Sequence, residues 1–437
     1  MNKFYEKLQE KIMIIGQKVG SQLHMSALKD AFALILPITL MGSFALILLK
    51  MPITGYEDFL NNLFGSSLWK TFLESIYNLT IPLTAFLLVI SLSYQMARRR
   101  ETEVTVTILV TSIIFLMMLP TANVVTETGN IIVLPNMFSN EFMGSKGLFM
   151  SLILGFLVPE LLSLLLKTKK LVITLPESVP PAVFKSFQVM IPAFITVVLF
   201  GGINFIIKNV MDETSAFNLV YDVLQAPLSH LGSNFFTILL MVFIINLAWI
   251  FGIHGPNLTN AITDALWKNL IIENSNAYVA GEAIPHFFSG NPFVVSYSRL
   301  GGSGNTLAIV IIALFILKKS RDSAIVKVGA TPSMFNINEP LIFGLPIVLN
   351  PILAIPFLVA PMVTFTIAYF VTKIGLVAPI VVDLPWSTPP IISGYLGTGG
   401  DIKASILQII LLAISVLIYL PFLKMHSKVD VNDANTL

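Results

Sequence analysis

Long apolar segments dominate the chain and are separated by short polar stretches. A helix that spans a membrane needs roughly 17 to 25 predominantly apolar residues. Nine segments reach or approach that length: residues 31–49, 79–97, 104–120, 147–166, 189–210, 234–252, 304–317, 351–372 and 404–423. The pattern predicts an all-α polytopic membrane protein.

Clusters of basic residues indicate which ends of these segments face the cytoplasm. Arg98–Arg100 follow the second segment, Lys167–Lys170 follow the fourth, and Lys318–Arg321 follow the seventh. Lys and Arg concentrate on the cytoplasmic side of membrane proteins. With the N-terminus inside, these clusters require one more crossing between residues 255 and 302. We therefore predict about ten transmembrane helices, one or two re-entrant hairpins, and both termini in the cytoplasm.

The two halves of the chain differ in character, which predicts a division of labour. Up to about Asn209 the apolar segments carry little charge, whereas from about Asn234 they are interrupted by Asn, Gly, Pro, His and Glu. The predicted parts are a cytoplasmic amphipathic leader (1–30), a transmembrane scaffold and dimerisation half (31–210) that includes a cytoplasmic connector (175–188), a substrate-binding half with re-entrant hairpins (211–424), and a cytoplasmic tail (425–437).

Composition narrows the possible functions. Hydrophobic residues make up 55% of the chain and charged residues 11%, and the net charge is +2, which does not indicate a nucleic-acid partner. The chain has no cysteine, so these residues form no disulfide, thiolate nucleophile or cysteine-ligated metal site. The five histidines are dispersed and lack the spacing of metal ligands. We expect neither a metal nor a cofactor.

Glu339 is the most informative single residue because it is a carboxylate inside an apolar segment. Pro332 and Pro340 flank it and prevent a straight spanning helix. A charge at membrane depth is costly and usually lines a substrate or proton pathway. Irregular backbone at that depth is tolerated where it is buried in protein or lines a wet cavity. Glu339 is therefore the candidate catalytic centre.

His254 is the second candidate catalytic residue. It lies at the end of an apolar segment, directly before Gly255-Pro256 and three residues before Asn257. A histidine in this position can hydrogen-bond a hydroxyl or stabilise an anion, and its charge changes near neutral pH. The alternative is a structural hydrogen bond.

Two further segments predict sugar contacts. Glu282, His286 and Asn291 lie among aromatic residues in 281–293, a mixture that suits hydroxyl groups and apolar sugar faces. An extramembrane loop is the alternative for Glu282 and His286. Trp386 lies between prolines in a second candidate hairpin, where its ring could stack on a sugar or anchor the membrane interface. The glycine-rich run 301–304 lacks the context of a nucleotide site and predicts a flexible loop.

Four segments resemble one known family. The membrane subunit, enzyme IIC, of the sugar phosphotransferase system, in its lactose, cellobiose and diacetylchitobiose branch, is similar to this chain over nearly its whole length. The segments that carry the resemblance are Phe335–Gly344, Phe251–Gly255, Leu175–Val183 and the stretch from Ile12 to Gly42.

The resemblance implies a homodimer in a bacterial cell membrane that contacts its lipids and binds one disaccharide per protomer. The sugar would be phosphorylated on its 6-hydroxyl by a phosphocysteine of the cytosolic IIB protein, a separate partner since this chain has no cysteine. Glu339 would accept the hydroxyl proton, and His254 would bind that hydroxyl or stabilise the phosphoryl charge. The implied sugar contacts are Asn257, Asn291, Asn338 and Trp386.

Two other classes of function stay open. A proton-coupled sugar or drug symporter would use Glu339 and His254 as a proton relay, without covalent chemistry. A non-transporting membrane scaffold would tolerate substitution of Glu339. Cellobiose, diacetylchitobiose and lactose are alternative substrates within the phosphotransferase interpretation.

Overall fold

The computed structural model describes residues 22–125, 131–173, 176, 181–211, 215–316, 322–345 and 347–434. Residues 1–21 of the predicted leader, residues 175 and 177–180 of the connector and the last three residues of the predicted tail lie outside this part.

Helices make up most of the described structure. They are α1 (Leu23–Leu49), α2 (Tyr56–Phe64), α3 (Leu68–Asn78), α4 (Thr84–Arg99), α5 (Val104–Met118), α6 (Asn140–Met143), α7 (Leu148–Leu166), α8 (Pro181–Val210), α9 (Ala216–Val220), α10 (Ala226–Gly232), α11 (Phe235–Ile250), α12 (Gly255–Ala280), α13 (Asn291–Ser298), α14 (Leu307–Ile311), α15 (Asp322–Met334), α16 (Glu339–Gly344), α17 (Pro351–Lys373), α18 (Ile392–Gly397) and α19 (Ile402–Ala434). Each of the nine apolar segments overlaps at least one of these helices.

The predicted all-α polytopic membrane class is confirmed. Within the described ranges, six helices are long and apolar enough to cross a membrane, or eight if each of two bent helix pairs counts as one span. The first pair, Ala216–Gly232 with Phe235–Ile250, bends by 69°, and the second, Asn291–Asn305 with Leu307–Phe315, bends by 61°. A bend of this size is typical of a broken span or a re-entrant loop. The predicted number of about ten crossings stays a prediction.

One small β-hairpin was not predicted by the helical pattern. Strand β1 (Thr121–Val125) pairs antiparallel with strand β2 (Ile131–Phe138), with an irregularity in register between Thr121 and Ala122. Both strands are rich in β-branched residues, which favour the extended conformation. The hairpin follows α5, at the end of a predicted apolar segment.

The chain forms two compact units. One unit comprises residues 21–42 and 75–230, and its helices pack closely through small residues. Ser91 Oγ donates to the Ala31 carbonyl and Ser151 Oγ donates to the Ala85 carbonyl, each at 2.7 Å. A Cβ at Gly155 would lie 2.7 Å from Leu92 Cδ2, so the glycine permits close contact between α7 and α4. Small residues commonly bring membrane helices together in this way.

The other unit comprises residues 43–74 and 231–437. Its core contains two groups of buried apolar side chains, one around Trp267, Phe293 and Phe365 and the other around Phe357 and Tyr419. Helix α2 and residues 68–74 of α3 belong to this unit, and Tyr395 Oη donates to the carbonyl of Pro52 at 2.9 Å. The predicted domain boundaries at residues 30, 210 and 424 stay predictions.

Candidate functional site

Glu339 is the first residue of α16, directly after a break in the helical backbone. Pro332 lies inside α15, which ends at Met334, and Asn336 adopts a positive φ of 62°. Pro340 follows Glu339 in the first turn of α16, where its missing N–H costs nothing. The sequence therefore places the carboxylate in the first turn of a short helix, beside the break in the backbone.

Two asparagines beside Glu339 tie its segment to two other parts of the unit. Asn336 Oδ1 accepts from the Gly301 amide at 2.9 Å, and Asn336 Nδ2 donates to the Trp386 carbonyl at 2.7 Å. Asn338, which is 3% exposed, donates from Nδ2 to the Ser303 carbonyl at 2.6 Å. The 301–306 turn, the Glu339 segment and the Trp386 segment are thus held together by side-chain hydrogen bonds.

The 301–306 turn is not the flexible loop that its glycines predicted. All six residues are buried. The Gly304 amide donates to Asn246 Oδ1 at 2.8 Å, and Tyr419 Oη donates to the Gly304 carbonyl at 2.7 Å. Asn305 Nδ2 donates to the hydroxyls of Thr364 and Ser415. The sequence prediction was wrong here because the partners that fix the turn come from distant helices and leave no local signal.

Gly302 shows why a glycine is needed in this turn. Its φ is 102°, and a Cβ at this position would lie 2.4 Å from Asn338 Cγ. A side chain would therefore strain the backbone and displace the asparagine next to Glu339.

His254 caps the N-terminus of α12. Its Nδ1 accepts from the Asn257 amide at 3.1 Å, so in the neutral ring the proton is assigned to Nε2. Gly255 permits this tight helix start, since a Cβ there would lie 1.9 Å from the Ile245 carbonyl oxygen. His254 Nε2 lies 3.8 Å from Glu339 Oε1, and both side chains are about two-fifths exposed, at 40% and 44%. The structure thus brings the two candidate catalytic residues together.

The gap between these two atoms suits an inserted hydroxyl group. A separation of 3.8 Å is too long for a direct hydrogen bond. A hydroxyl oxygen about 2.8 Å from both atoms would see them at an angle of about 85°, which lets it accept from Nε2–H and donate to Oε1. The second oxygen of Glu339, Oε2, is buried and has no hydrogen-bond partner.

Trp249 is a candidate site residue that the sequence analysis did not single out. Its ring centroid lies 4.7 Å from that of His254, and it also contacts the ring of Phe343. The indole Nε1 is buried without a hydrogen-bond partner. A buried donor of this kind is costly to leave unpaired, and an acceptor from a ligand would satisfy it. Its position five residues before His254 was the available signal.

Asn291 is held by a charged group on α12. Asn291 Nδ2 donates to Asp264 Oδ1 at 2.5 Å and to Thr263 Oγ1 at 3.1 Å, while its own Oδ1 is buried and unpartnered. Asp264 lies ten residues beyond His254 along α12, or about 15 Å. One turn further, Lys268 pairs with Asp383 at 2.5 Å. These three charges were not predicted as one group because Asp383 and Asn291, which pair with Lys268 and Asp264, lie far from α12 in the chain.

Of the other predicted sugar contacts, some lie near Glu339 and others do not. Asn257 and Trp386 are exposed, Trp386 by 52%, and lie in the segments that meet near Glu339. Glu282 is exposed and lies two residues beyond the end of α12, whose 26 residues would span about 39 Å from the His254 end. The structure therefore does not bring Glu282 to His254 and Glu339. His286 Nε2 instead pairs with Glu273 Oε2 at 2.6 Å.

No group of three or more His, Asp or Glu side chains arranged to hold a metal ion occurs among the residues that the structure describes.

Comparisons with known proteins agree on one family. The family model described as phosphotransferase system, EIIC, matches residues 29–361. The chain is 35% identical to the putative permease IIC component YwbA of Bacillus subtilis, covering 98% of this chain and 97% of that protein. It is 32% identical to the cellobiose-specific EIIC component of Geobacillus stearothermophilus, covering 98% and 95%. The crystal structure of ChbC, the IIC component of an N,N'-diacetylchitobiose-specific phosphotransferase system, matches with a TM-score of 0.91 at 33% identity, covering 98% of this chain and 99% of that one.

Proposed function

Because this chain belongs to the EIIC family of the phosphotransferase system, we propose that it imports a β-linked disaccharide whose 6-hydroxyl is phosphorylated during or after transport. The names of similar proteins support the sugar class, since they include cellobiose-specific and N,N'-diacetylchitobiose-specific components. The observation that carries the proposal is the approach of His254 Nε2 to Glu339 Oε1 across a gap that fits one hydroxyl group.

The proposed reaction uses both residues on the same oxygen. The sugar 6-hydroxyl lies between them, donates its proton to Glu339 and attacks the phosphorus of a phosphocysteine. The new oxygen–phosphorus bond forms as the phosphorus–sulfur bond breaks, and the electron pair leaves with the cysteine thiolate. His254 Nε2–H steadies the reacting oxygen and the charge that develops on the phosphoryl group. These 437 residues contain no cysteine, so we propose that a separate cytosolic IIB protein is the donor.

Sugar binding in this proposal combines ring stacking with a few polar contacts. The exposed ring of Trp386 covers an apolar sugar face. Trp249 Nε1–H donates to one sugar hydroxyl and Asn291 Oδ1 accepts from another, because both atoms are buried and have no partner in the protein. Asn257 lies exposed in the first turn of α12 and is a further candidate contact. Asn338 is already committed to the Ser303 carbonyl and acts by positioning Glu339.

Uptake into sealed right-side-out membrane vesicles tests this function. We expect sugar uptake only when phosphoenolpyruvate and the cytosolic phosphocarrier proteins are loaded inside. Uptake driven by a proton gradient without phosphoenolpyruvate would refute the proposal and favour the symporter. Vesicles prepared in the same way with the Glu339→Gln protein serve as a negative control and should show no phosphoenolpyruvate-dependent uptake.

A further inference from the structure

Arg299 has one edge of its guanidinium group without a hydrogen-bond partner, in the interior of the unit formed by residues 43–74 and 231–437. It follows the last residue of α13, and its Nε and Nη2 atoms are buried without a hydrogen-bond partner. These two N–H groups form one edge of the guanidinium, the edge that can bind two oxygens of an anion side by side. A buried arginine normally places this edge on a carboxylate or a backbone carbonyl.

The charge of Arg299 is balanced, although this edge is free. Asp264 lies within electrostatic range of Arg299 and of Lys268, yet its hydrogen bond goes to Asn291. Lys268 in turn pairs with Asp383. Two acidic and two basic side chains thus offset each other, so Arg299 can stay buried while its edge has no partner.

Arg299 also connects two parts of the candidate site. Its carbonyl accepts from the Gly302 amide at 2.9 Å and so begins the turn that is bound by Asn336 and Asn338, the neighbours of Glu339. Its side chain carries electrostatic interaction with Asp264, which holds Asn291. The backbone of Arg299 therefore belongs to the turn beside the Glu339 segment, while its side chain interacts with the carboxylate that holds Asn291.

We propose that the Nε and Nη2 edge of Arg299 binds the phosphoryl group on the sugar, as it is transferred and in the phosphorylated product. This inference rests on the proposed function and adds to it a residue that touches the reacting group. A phosphoryl group presents two oxygens to a guanidinium edge, whereas an uncharged sugar offers single hydroxyls. The edge therefore distinguishes the product from the substrate.

The test compares Arg299→Gln and Arg299→Lys with the wild-type protein in binding and in transfer. The probes are whichever of cellobiose, diacetylchitobiose or lactose the purified wild-type protein binds, and the same sugar phosphorylated on its 6-hydroxyl. We expect Arg299→Gln to lose at least about tenfold in affinity for the phosphorylated sugar and about 100-fold in transfer rate, because one preorganised donor group is removed. Affinity for the unphosphorylated sugar should stay within about threefold. Arg299→Lys keeps the positive charge but lacks the paired N–H edge. Its affinity for the phosphorylated sugar and its transfer rate should therefore lie between those of the wild type and of Arg299→Gln.

Two controls separate this role from a structural one. Arg98→Gln removes one arginine in the other unit and should leave both affinities unchanged. The double variant Asp264→Asn with Arg299→Gln removes both buried charges, and its affinity for the phosphorylated sugar should be as low as that of Arg299→Gln. Equal losses for both forms of the sugar, no loss for either, or recovery in the double variant would overturn the proposal. The binding comparison needs no phosphate donor, so a wild-type protein that fails to transfer phosphate would refute the proposed function separately.

Discussion

Replacing Glu339 with glutamine separates sugar binding from phosphoryl transfer. Gln keeps the shape of the side chain and one acceptor oxygen but cannot take a proton at neutral pH. The oxygen that faces His254 Nε2 at 3.8 Å therefore remains available to the sugar hydroxyl. Only its basicity is lost, so binding and chemistry should respond differently.

The size of each effect follows from the contacts. A hydrogen bond to a charged group contributes about 1.5–3 kcal/mol and a neutral one about 0.5–1.5 kcal/mol, so binding should weaken by about 1–1.5 kcal/mol. That energy is about a tenfold change in Kd. A positioned general base contributes about 100-fold to 10,000-fold in rate, so transfer should fall by at least about 100-fold.

Both quantities can be measured on the same preparation. Titration calorimetry in detergent gives the sugar Kd, and phosphorylated sugar formed per minute in proteoliposomes with phosphoenolpyruvate and the phosphocarrier proteins gives the rate. Glu74→Gln makes the same chemical change at an exposed carboxylate and should match the wild type in both assays. A Glu339→Gln protein that transfers phosphate at more than about one tenth of the wild-type rate would refute the general-base role.

Other predictions follow from the same geometry. His254→Asn keeps a side chain that can cap α12 but loses Nε2–H, so its Tm should stay near that of the wild type while transfer falls by about 100-fold; unchanged transfer would return His254 to a purely structural role. Gly302→Ala should lower thermal stability by about 1–2 kcal/mol or more, because of its φ of 102° and the contact with Asn338, and a Tm equal to that of the wild type would contradict this. Light scattering in mild detergent should show two chains per particle, and a monodisperse monomer that also fails to cross-link in membranes would contradict the predicted dimer. Introduced cysteine pairs that lock residues 31–210 to residues 211–424 should block transport if the second half moves as a body about the connector 175–188; intact transport would favour local gating instead.

Much of the fold follows from local sequence signals. Apolar runs are enough to place the long helices, because a membrane span leaves a signal in consecutive residues. Pro340 and Pro256 also act locally, since each lies in the first turn of a new helix, where proline is favoured. The helix breaks at these residues were therefore predictable, and the structure shows that the two side chains meet at 3.8 Å.

Contacts between distant residues could not be predicted from one sequence. The burial of the 301–306 turn depends on Asn246 and Tyr419, which lie on other helices and have no pattern that links them to the turn. The interaction between Asp264 and Arg299 could not be predicted either, because residues that are far apart in the chain share no periodic pattern. The glycines predicted freedom, whereas in the folded unit they allow close packing.

The chemical state of the transported sugar tests the central claim most directly. Sugar is recovered from inside wild-type vesicles loaded with phosphoenolpyruvate and the phosphocarrier proteins, and its 6-position is examined by phosphorus NMR. Coupled transport and transfer predict that the internal sugar carries phosphate on the 6-hydroxyl, and that this product is lost in Glu339→Gln vesicles. Unmodified sugar that accumulates inside wild-type vesicles under the same conditions would contradict the account.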